Sequence, residues 1–299
     1  MTTAQPASAT SEAHPLQCME IVGGNHVEYN VLSSPGLDIW LDSRPVEGNV
    51  GGDLHYFSMC GSGRVTRLSL ADVSGHGPGM DPVAKRLRTL MRKYINLLDQ
   101  TRFARAINRE FTEMADADYF ATVLLITYFA PTDHLIVCNA GHPRPFWYSR
   151  RCGQWKLLDQ ETPDTGPSIR EARGTYALRP VANLPLGVVE PTDYHQFSVK
   201  LDKGDIVLVY TDALIEARNP DDQQLGEAGL LELVAQVDPD DPQQIASEVL
   251  ARVERYRGGR APDDDQTLIV LYHNASDPPA MTVRQALTSL AKMVGIARV

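Results

Sequence analysis

The sequence of 299 residues has only four cysteines, and no two of them form a CxxC pair. Four cysteines in a chain of this length do not make a disulfide framework, so a reducing compartment fits best. The eight histidines are scattered, with no pair at the spacing that binds a metal on one helix face. A zinc site is therefore not expected.

Long hydrophobic runs are also missing. The longest, Phe120 to Ala130, is interrupted by two threonines and a tyrosine, and a membrane helix needs about 20 apolar residues. The first fourteen residues, MTTAQPASATSEAH, have neither a basic start nor an apolar centre, so they do not resemble a secretory signal. We expect a cytoplasmic protein that does not associate with membranes.

Basic residues are in the minority, with 28 Lys and Arg against 38 Asp and Glu and a formal net charge of −10. A surface of that sign repels phosphate backbones, which argues against nucleic acid as a partner. Hydrophobic residues make up 43% of the chain, enough for a large core. We expect a disordered lead over residues 1–17, a single domain over 18–275 and a tail with a short amphipathic helix over 276–299.

The pattern of apolar residues predicts a mixed α+β fold. Strands are predicted over 37–41, 54–59, 64–71, 120–129, 134–139, 205–210 and 268–272, with a hairpin turn at Gly61–Gly63. Helices are predicted from Asp81 to Leu98, over 103–115 and from Asp241 onward. Because consecutive helices lie between groups of strands, α+β layering is favoured over a doubly wound sheet.

The sequence has no P-loop, HExxH, GxSxG or GxGxxG motif. Instead, acidic residues recur at the ends of apolar strands: Asp53 after Gly51-Gly52, Asp72 before a glycine-rich turn, Asp212 after DIVLVYT, and Asp263-Asp264-Asp265 before a strand. Any one such residue is most often a turn former or a helix cap. Four carboxylates brought together repel one another unless a cation compensates, and hard oxygen ligands suit Mg²⁺ or Mn²⁺. Two such ions can activate a water for in-line attack on phosphorus.

These motifs occur in an order that resembles a known family. The ordered set is VGGDLHYF (50–57), LADVSGHG (70–77), FATVLLITYF (120–129), NAGHPRP (139–145), LPLGV (184–188), GDIVLVYTDALIEARN (204–219) and DDDQTLIVL (263–271). It is similar to the metal-dependent (PPM-type) serine/threonine protein phosphatases, in their bacterial branch acting in sporulation and stress-response control. The resemblance covers roughly residues 35 to 273.

The resemblance implies an αββα four-layer sandwich of two central, mainly antiparallel sheets flanked by helices. Two Mn²⁺ or Mg²⁺ ions would lie at one end, bridged by Asp53 and held by Asp72, the carbonyl of Val73, and Asp212. Asp264 would complete the set of ligands, because Thr267 fixes the register of the DDDQT motif. Asp265 is the fallback. Ala213 departs from the glycine that the family usually has.

The implied activity is removal of phosphate from serine or threonine of a regulatory protein, by attack of a metal-bridging hydroxide. In bacterial relatives that protein is commonly an anti-sigma-factor antagonist, and an activating protein partner is implied. Two alternatives stay open: a catalytically silent scaffold module of the same fold, and a phosphoesterase for small molecules. The sequence also leaves open whether the tail helix docks in cis or forms a homodimer.

Four further positions carry weaker hypotheses. His76 is a candidate acid for the leaving group, and Arg44 a candidate phosphate ligand. Ser74 reads as a turn hydroxyl, and the Asn139–His142 motif is expected to shape a turn.

Overall fold

The computed structural model describes residues 13–46, 48–74, 80–97, 99–113, 119–159 and 182–280, with the side chains of residues 80–82 left out. The strands are β1 (His14–Pro15), β2 (Ile21–His26), β3 (Glu28–Ser34), β4 (Leu37–Arg44), β5 (Val50–Cys60), β6 (Val65–Val73), β7 (Ala121–Phe129), β8 (His134–Ala140), β9 (Phe146–Ser149), β10 (Gln154–Leu157), β11 (Gln196–Lys200), β12 (Ile206–Tyr210) and β13 (Gln266–His273). The helices are α1 (Met80–Tyr94), α2 (Gln100–Thr112), α3 (Gly226–Val234) and α4 (Pro242–Arg257).

The strands form two sheets. Sheet I has the order β1-β3-β4-β13-β12-β9-β10, and sheet II has the order β11-β8-β7-β6-β5-β2. All neighbouring strands in these sheets are antiparallel except β1 and β3. The helix pair α1–α2 packs on sheet II and the pair α3–α4 on sheet I. The predicted αββα four-layer sandwich is therefore confirmed.

Three apolar clusters hold these layers together. The central one joins the sheets, with Leu41 and Ile269 of sheet I against Phe57 and Leu68 of sheet II. The second lies between sheet II and α1–α2, and the third between sheet I and α3–α4. Because both sheets are covered on both faces, their central strands read as nearly continuous apolar runs. This is why the seven predicted strands match β4–β8, β12 and β13.

The predicted hairpin at Gly61–Gly63 joins β5 and β6, with Cys60 paired to Val65. Gly61 and Gly63 have positive φ angles of 63° and 85°, a conformation that glycine adopts without strain. Together β5 and β6 place Asp53 and Asp72 near the same end of sheet II.

The helices differ from prediction mainly at their ends. α1 begins at Met80 and ends at Tyr94, so Asp81 lies inside it, and the predicted end at Leu98 lies outside the described residues. α2 begins at Gln100 rather than residue 103, because the Asp99 carboxylate accepts hydrogen bonds from the backbone N–H groups of Thr101 and Arg102. α4 begins after Asp241 as predicted.

The predicted disordered lead over residues 1–17 is wrong at its C-terminal end. His14 and Pro15 pair with β3, and the Leu16 N–H donates to the Ser33 carbonyl. Leu16 is only 4% exposed and belongs to the central cluster. A strand of two residues offers no periodic pattern, so the sequence did not reveal it. Residues 1–12 and the predicted tail helix within 281–299 lie outside the described residues.

Candidate metal centre

Asp53 lies near the start of β5 and is 3% exposed. Its Oδ2 accepts a hydrogen bond of 2.9 Å from the hydroxyl of Thr211, which follows β12 in sheet I. The same hydroxyl accepts a 2.9 Å bond from the Thr267 N–H. Asp53 of sheet II is thus tied to two neighbouring strands of sheet I, so the candidate centre spans the end of the sandwich.

Asp72 is the next-to-last residue of β6, followed by Val73. Burial, and then the carboxylates of Asp212, Asp264, Asp265 and Glu216, together raise the pKa of Asp72 to about 8. The pKa of Asp53 is raised well above its usual range by burial and then by Asp72. Asp72 is therefore the acid that lies in the electrostatic field of all the others.

Asp212 begins a 3₁₀ turn, Asp212–Leu214, directly after β12. Burial, and then the carboxylates of Glu216 and Asp264, together raise the pKa of Asp212 to about 6. The neighbouring Ala213 is 4% exposed and has no positive φ angle, and its carbonyl accepts a 3.1 Å bond from Arg257. Alanine is therefore accommodated where glycine is usual in the family, without backbone strain.

The two acids before β13 are used differently. The Asp265 carboxylate accepts hydrogen bonds from the backbone N–H groups of Val46, at 2.7 Å, and Gly52, at 2.5 Å. Asp264 accepts from the Asp265 N–H at 2.8 Å and raises the pKa of both Asp72 and Asp212. Asp265 thus fastens the Val46 loop and the Gly52 backbone, and it also raises the pKa of Asp53 and Asp72. Both acids lie in the field of Asp72, so the choice of Asp264 as the ligand, with Asp265 as the fallback, stays a prediction.

The atoms around the space beside Gly52 have the chemistry that a divalent ion requires. A Cβ placed on Gly52 would lie 3.6 Å from Asp265 Oδ2, 3.6 Å from the Val73 carbonyl oxygen and 3.9 Å from Asp72 Oδ1. All three atoms are hard oxygen donors, the set that Mg²⁺ and Mn²⁺ prefer. A side chain at residue 52 would fill this space, so a glycine is needed to keep it open.

Among the residues that the structure describes, no three His, Cys, Asp or Glu side chains converge closely enough to hold one ion as they stand. The acids share one electrostatic neighbourhood without forming a closed ligand shell. Like charges repel unless a cation lies between them. The donor chemistry fits a divalent ion, and the assignment of Asp53, Asp72, Val73, Asp212 and Asp264 as ligands stays a prediction.

Two features of this centre were not identified from the sequence. Glu216 follows Asp212 by four residues, a spacing that places side chains on one side of a helical turn, and it acts on both Asp72 and Asp212. Thr211 and Thr267 orient Asp53 by hydrogen bonds. Thr211 could not be identified from the sequence, because its partner Asp53 is 158 positions away. Glu216 could not be identified because it acts on Asp72, which only folding brings near it.

The weaker hypotheses have different outcomes. Arg44 binds Asp42 of its own strand through two 2.7 Å hydrogen bonds, so its guanidinium is engaged and the phosphate-ligand hypothesis loses support. The Ser74 hydroxyl donates to the Phe120 carbonyl and accepts from the Phe120 N–H, as expected of a turn residue. Asn139 closes a turn through two 2.8 Å bonds to the backbone of His142. His76 lies outside the described residues.

Within the described parts of the chain, no helix is both long enough and apolar enough to cross a membrane.

Known proteins share this sandwich fold. The fold is that of the PP2C-type (PPM) phosphatase domains. The family model for Stage II sporulation protein E (SpoIIE) matches residues 62–169 and 165–274. The chain therefore belongs to the SpoIIE family, which confirms the predicted resemblance to sporulation and stress-response phosphatases.

One relative of known activity supports the assignment of the chain to this family. Phosphoserine phosphatase RsbU of Bacillus subtilis (strain 168) is 26% identical over 194 residues, which cover 63% of this chain and 49% of RsbU. The chain thus matches about half the length of that relative.

Two solved structures resemble the fold. The RsbU and RsbW domains of Rv1364c from Mycobacterium tuberculosis match with a TM-score of 0.62 and 23% identity, covering 93% of this chain and 71% of that one. The catalytic domain of the serine/threonine protein phosphatase PstP, solved with 2 manganese ions, matches with a TM-score of 0.51 and 16% identity, over 79% of this chain and 98% of that one. At these identities the likeness concerns the fold.

Proposed function

We propose that this protein is a Mn²⁺- or Mg²⁺-dependent phosphatase that hydrolyses phosphoserine or phosphothreonine on a regulatory protein. The observation that carries the proposal is the gathering of Asp53, Asp72, Asp212 and Asp264 at one end of the two sheets. Each acid comes from a different part of the chain; Asp53 is buried, Asp72 and Asp212 are partly buried and Asp264 is exposed. Carboxylates in one another's electrostatic field repel unless a cation lies between them, which supports a cation site.

Divalent ions, when bound, supply Lewis-acid stabilisation of the phosphoryl oxygens and an activated water near neutral pH. The chain's own residues prepare that chemistry. Asp53, Asp72, Asp212 and Asp264 and the Val73 carbonyl would hold the ions. Thr211 fixes the orientation of the Asp53 carboxylate through its 2.9 Å hydrogen bond, and Asp265 fixes the Gly52 backbone that leaves room beside them. No side-chain nucleophile is required for hydrolysis of this kind.

The class of substrate is inferred from family and similarity. The chain belongs to the SpoIIE family, and the relative RsbU is named a phosphoserine phosphatase. A phosphoserine on a small regulatory protein, such as an anti-sigma-factor antagonist, is the proposed substrate. An activating protein partner is proposed with it; in support, one structural neighbour is described as part of the bacterial stressosome, a modular system, and another carries RsbU and RsbW domains in one chain.

The test is hydrolysis of para-nitrophenyl phosphate by the purified protein in Mn²⁺, Mg²⁺, Zn²⁺ or EDTA. We expect activity with Mn²⁺ or Mg²⁺ and none in EDTA. The Asp212→Asn variant should lose at least about a thousandfold in kcat, because it removes one carboxylate ligand. Asp221→Asn removes the same charge from an exposed site and should retain wild-type activity.

The outcomes separate the alternatives. Wild-type turnover by Asp212→Asn would contradict the assigned centre. A protein that binds Mn²⁺ but hydrolyses neither para-nitrophenyl phosphate nor a phosphoserine peptide would favour the scaffold alternative. Hydrolysis of small phosphoesters without any activity on phosphoproteins would favour the small-molecule phosphoesterase.

A further inference from the structure

A polar cavity lies on the helix side of sheet II, between strand β2 and helix α1. Its volume is about 480 Å³, and its lining residues are Gly23, Gly24, His26, Tyr56, Arg88, Thr89 and Arg92. No carboxylate lines it, in a chain whose net charge is −10. The lining of the cavity is therefore positively charged, although the net charge of the protein is negative.

Arg88 and Arg92 supply that positive charge from successive turns of α1. Neither guanidinium has an ion-pair partner among the residues that the structure describes. The contrast with the same helix is clear, since Lys93 reaches Glu110 at 2.7 Å and Arg86 reaches it at 3.9 Å. Two uncompensated guanidinium groups beside one cavity favour binding of an anion.

Tyr56 forms the floor of the cavity and is fully buried, at 0% exposure. Its hydroxyl has no hydrogen-bond partner in the described structure, although buried polar groups nearly always have one. The guanidinium of Arg92 lies 5.8 Å from the centre of the Tyr56 ring. Burial raises the pKa of Tyr56, and Arg88 and Arg92 partly oppose that rise. The hydroxyl is thus a protonated donor without an acceptor, close to both cations.

The strand wall of the cavity is built from glycines. A Cβ on Gly23 would lie 2.1 Å from the carbonyl oxygen of His55, and the φ angle of Gly23 is +124°. Only glycine fits at residue 23, and Gly23 and Gly24 line the cavity without a side chain. After a register shift between Gly24 and His26, His26 also lines the cavity, with its Nε2 3.7 Å from Glu28 Oε2.

We propose that the cavity between β2 and α1 binds a phosphate-type oxyanion, held by Arg88 and Arg92 and by the hydroxyl of Tyr56. Arginine presents planar, paired N–H donors that match phosphate oxygens, and a hydroxyl donor completes the set. The ion has two sources with the same chemistry, free inorganic phosphate and a phosphorylated side chain. The proposal does not depend on the proposed phosphatase function, because none of the acidic residues takes part.

The test is calorimetric titration of the full chain with inorganic phosphate in EDTA, so that no metal ion contributes. We expect saturable binding that weakens at least tenfold in Arg88→Gln and in Arg92→Gln, since hydrogen bonds to charged groups are strong. Lys85→Gln removes the same charge from an exposed position of α1 that does not line the cavity, so its affinity should equal the wild type's. Asp212→Asn should also bind phosphate normally, which separates this cavity from the acidic centre.

A second variant, Tyr56→Phe, removes only the hydroxyl. It should bind phosphate about tenfold more weakly while its melting temperature stays unchanged or rises, because the hydroxyl has no partner to lose. A marked fall in melting temperature would show that the hydroxyl is already bonded and would overturn the proposal. So would the absence of saturable phosphate binding, or equal affinities in the wild type, Arg88→Gln and Arg92→Gln.

A phosphoserine peptide, titrated in the same way, identifies the source. Tighter binding of the peptide than of phosphate, lost in Arg92→Gln, assigns the cavity to a phosphorylated side chain. Binding of inorganic phosphate alone, lost in the same variant, assigns it to the free ion. Both results support the oxyanion site.

Discussion

The chemistry of the acidic centre depends on the surroundings of individual residues. Asp53 is buried and is held by Thr211, Asp265 is engaged by backbone N–H groups, and Asp264 and Asp72 face one another's charge. The four aspartate carboxylates therefore have different structural roles. A carboxylate with N–H donors already in place positions a loop, and one surrounded by other carboxylates is suited to bind a cation.

Thr211 gives the sharpest test of this division. Thr211→Val keeps the shape but removes the hydroxyl that donates to Asp53 and accepts from the Thr267 N–H. We expect a loss of about 1–3 kcal/mol in the free energy of unfolding, because two buried groups lose their partner. Activity should fall about 10- to 100-fold, as for other residues that orient metal ligands.

Thr211→Ser keeps the hydroxyl and serves as the matched control. It should stay close to wild type in urea unfolding and in kcat. Equal effects of the valine and serine substitutions would contradict a positioning role for the hydroxyl.

The sequence predicted Asp53, Asp72, Val73, Asp212 and Asp264 as metal ligands, and this assignment stays a prediction. The structure brings the four acids into one another's electrostatic field, and the Val73 carbonyl and Asp72 Oδ1 lie beside Gly52. Glu216 and the Thr211 hydroxyl were missed because their roles depend on neighbours brought in by folding. The assignment of Arg44 to phosphate lost support because its partner, Asp42, lies on the same strand two residues earlier.

Among the elements, long apolar strands were predicted well and short or glycine-rich ones were not. β2 reads IVGGNH, with two glycines and a register shift, and so shows no alternation. β9 and β10 have four residues each. α3 contains Gly229 and begins at Gly226, which weakens its helical pattern. Tertiary packing decides the structure of these segments more than local preference does.

The short strand β1 makes a testable contribution to stability. Leu16, directly after β1, is 4% exposed and lies in the cluster between the sheets. Leu16→Ala should lower the free energy of unfolding by about 2–4 kcal/mol, as for other large-to-small changes in a core. Gln17→Ala, at an exposed neighbour, should change it by less than about 1 kcal/mol. Equal urea midpoints for wild type and Leu16→Ala would show that β1 does not dock.

For the whole molecule, the order of the strands in each sheet cannot be predicted from the apolar pattern of the individual strands. β4 pairs with β13, so Leu41 faces Ile269 across more than half of the chain. This pairing brings the DDDQT segment beside the loop before β5 and the start of β5, which carries Asp53. The apolar pattern predicted the strands, and the family resemblance implied the two sheets, but no periodicity specifies which strands become neighbours.

The buried acids make the stability of the metal-free protein depend on pH. The pKa of Asp72 is raised to about 8 and that of Asp212 to about 6 in the folded state, against about 4 in an unfolded chain. Between about pH 4 and pH 8 the folded state therefore binds more protons, so the free energy of unfolding falls as the pH rises through this window. Burial lowers the pKa of His142 to about 3, which opposes this slope below about pH 6.5. We therefore expect the melting temperature in EDTA to decrease from about pH 6.5 to pH 8.

The matched variants isolate the source of that slope. Asp72→Asn should show a much shallower decrease than the wild type, because its amide does not titrate. Asp221→Asn should show the wild-type slope. A slope in Asp72→Asn as steep as in the wild type would place the titrating group elsewhere.

We propose that the acids at the end of the sandwich form a binding centre for divalent ions. Calorimetric titration of the full chain with Mn²⁺ at pH 8, beside the Asp72→Asn variant, measures this directly. We expect saturable binding of two ions per chain in the wild type and loss of that binding in Asp72→Asn, because Asp72 lies in the field of all the other acids. No saturable Mn²⁺ binding by the wild type, or equal binding by the variant, would contradict it.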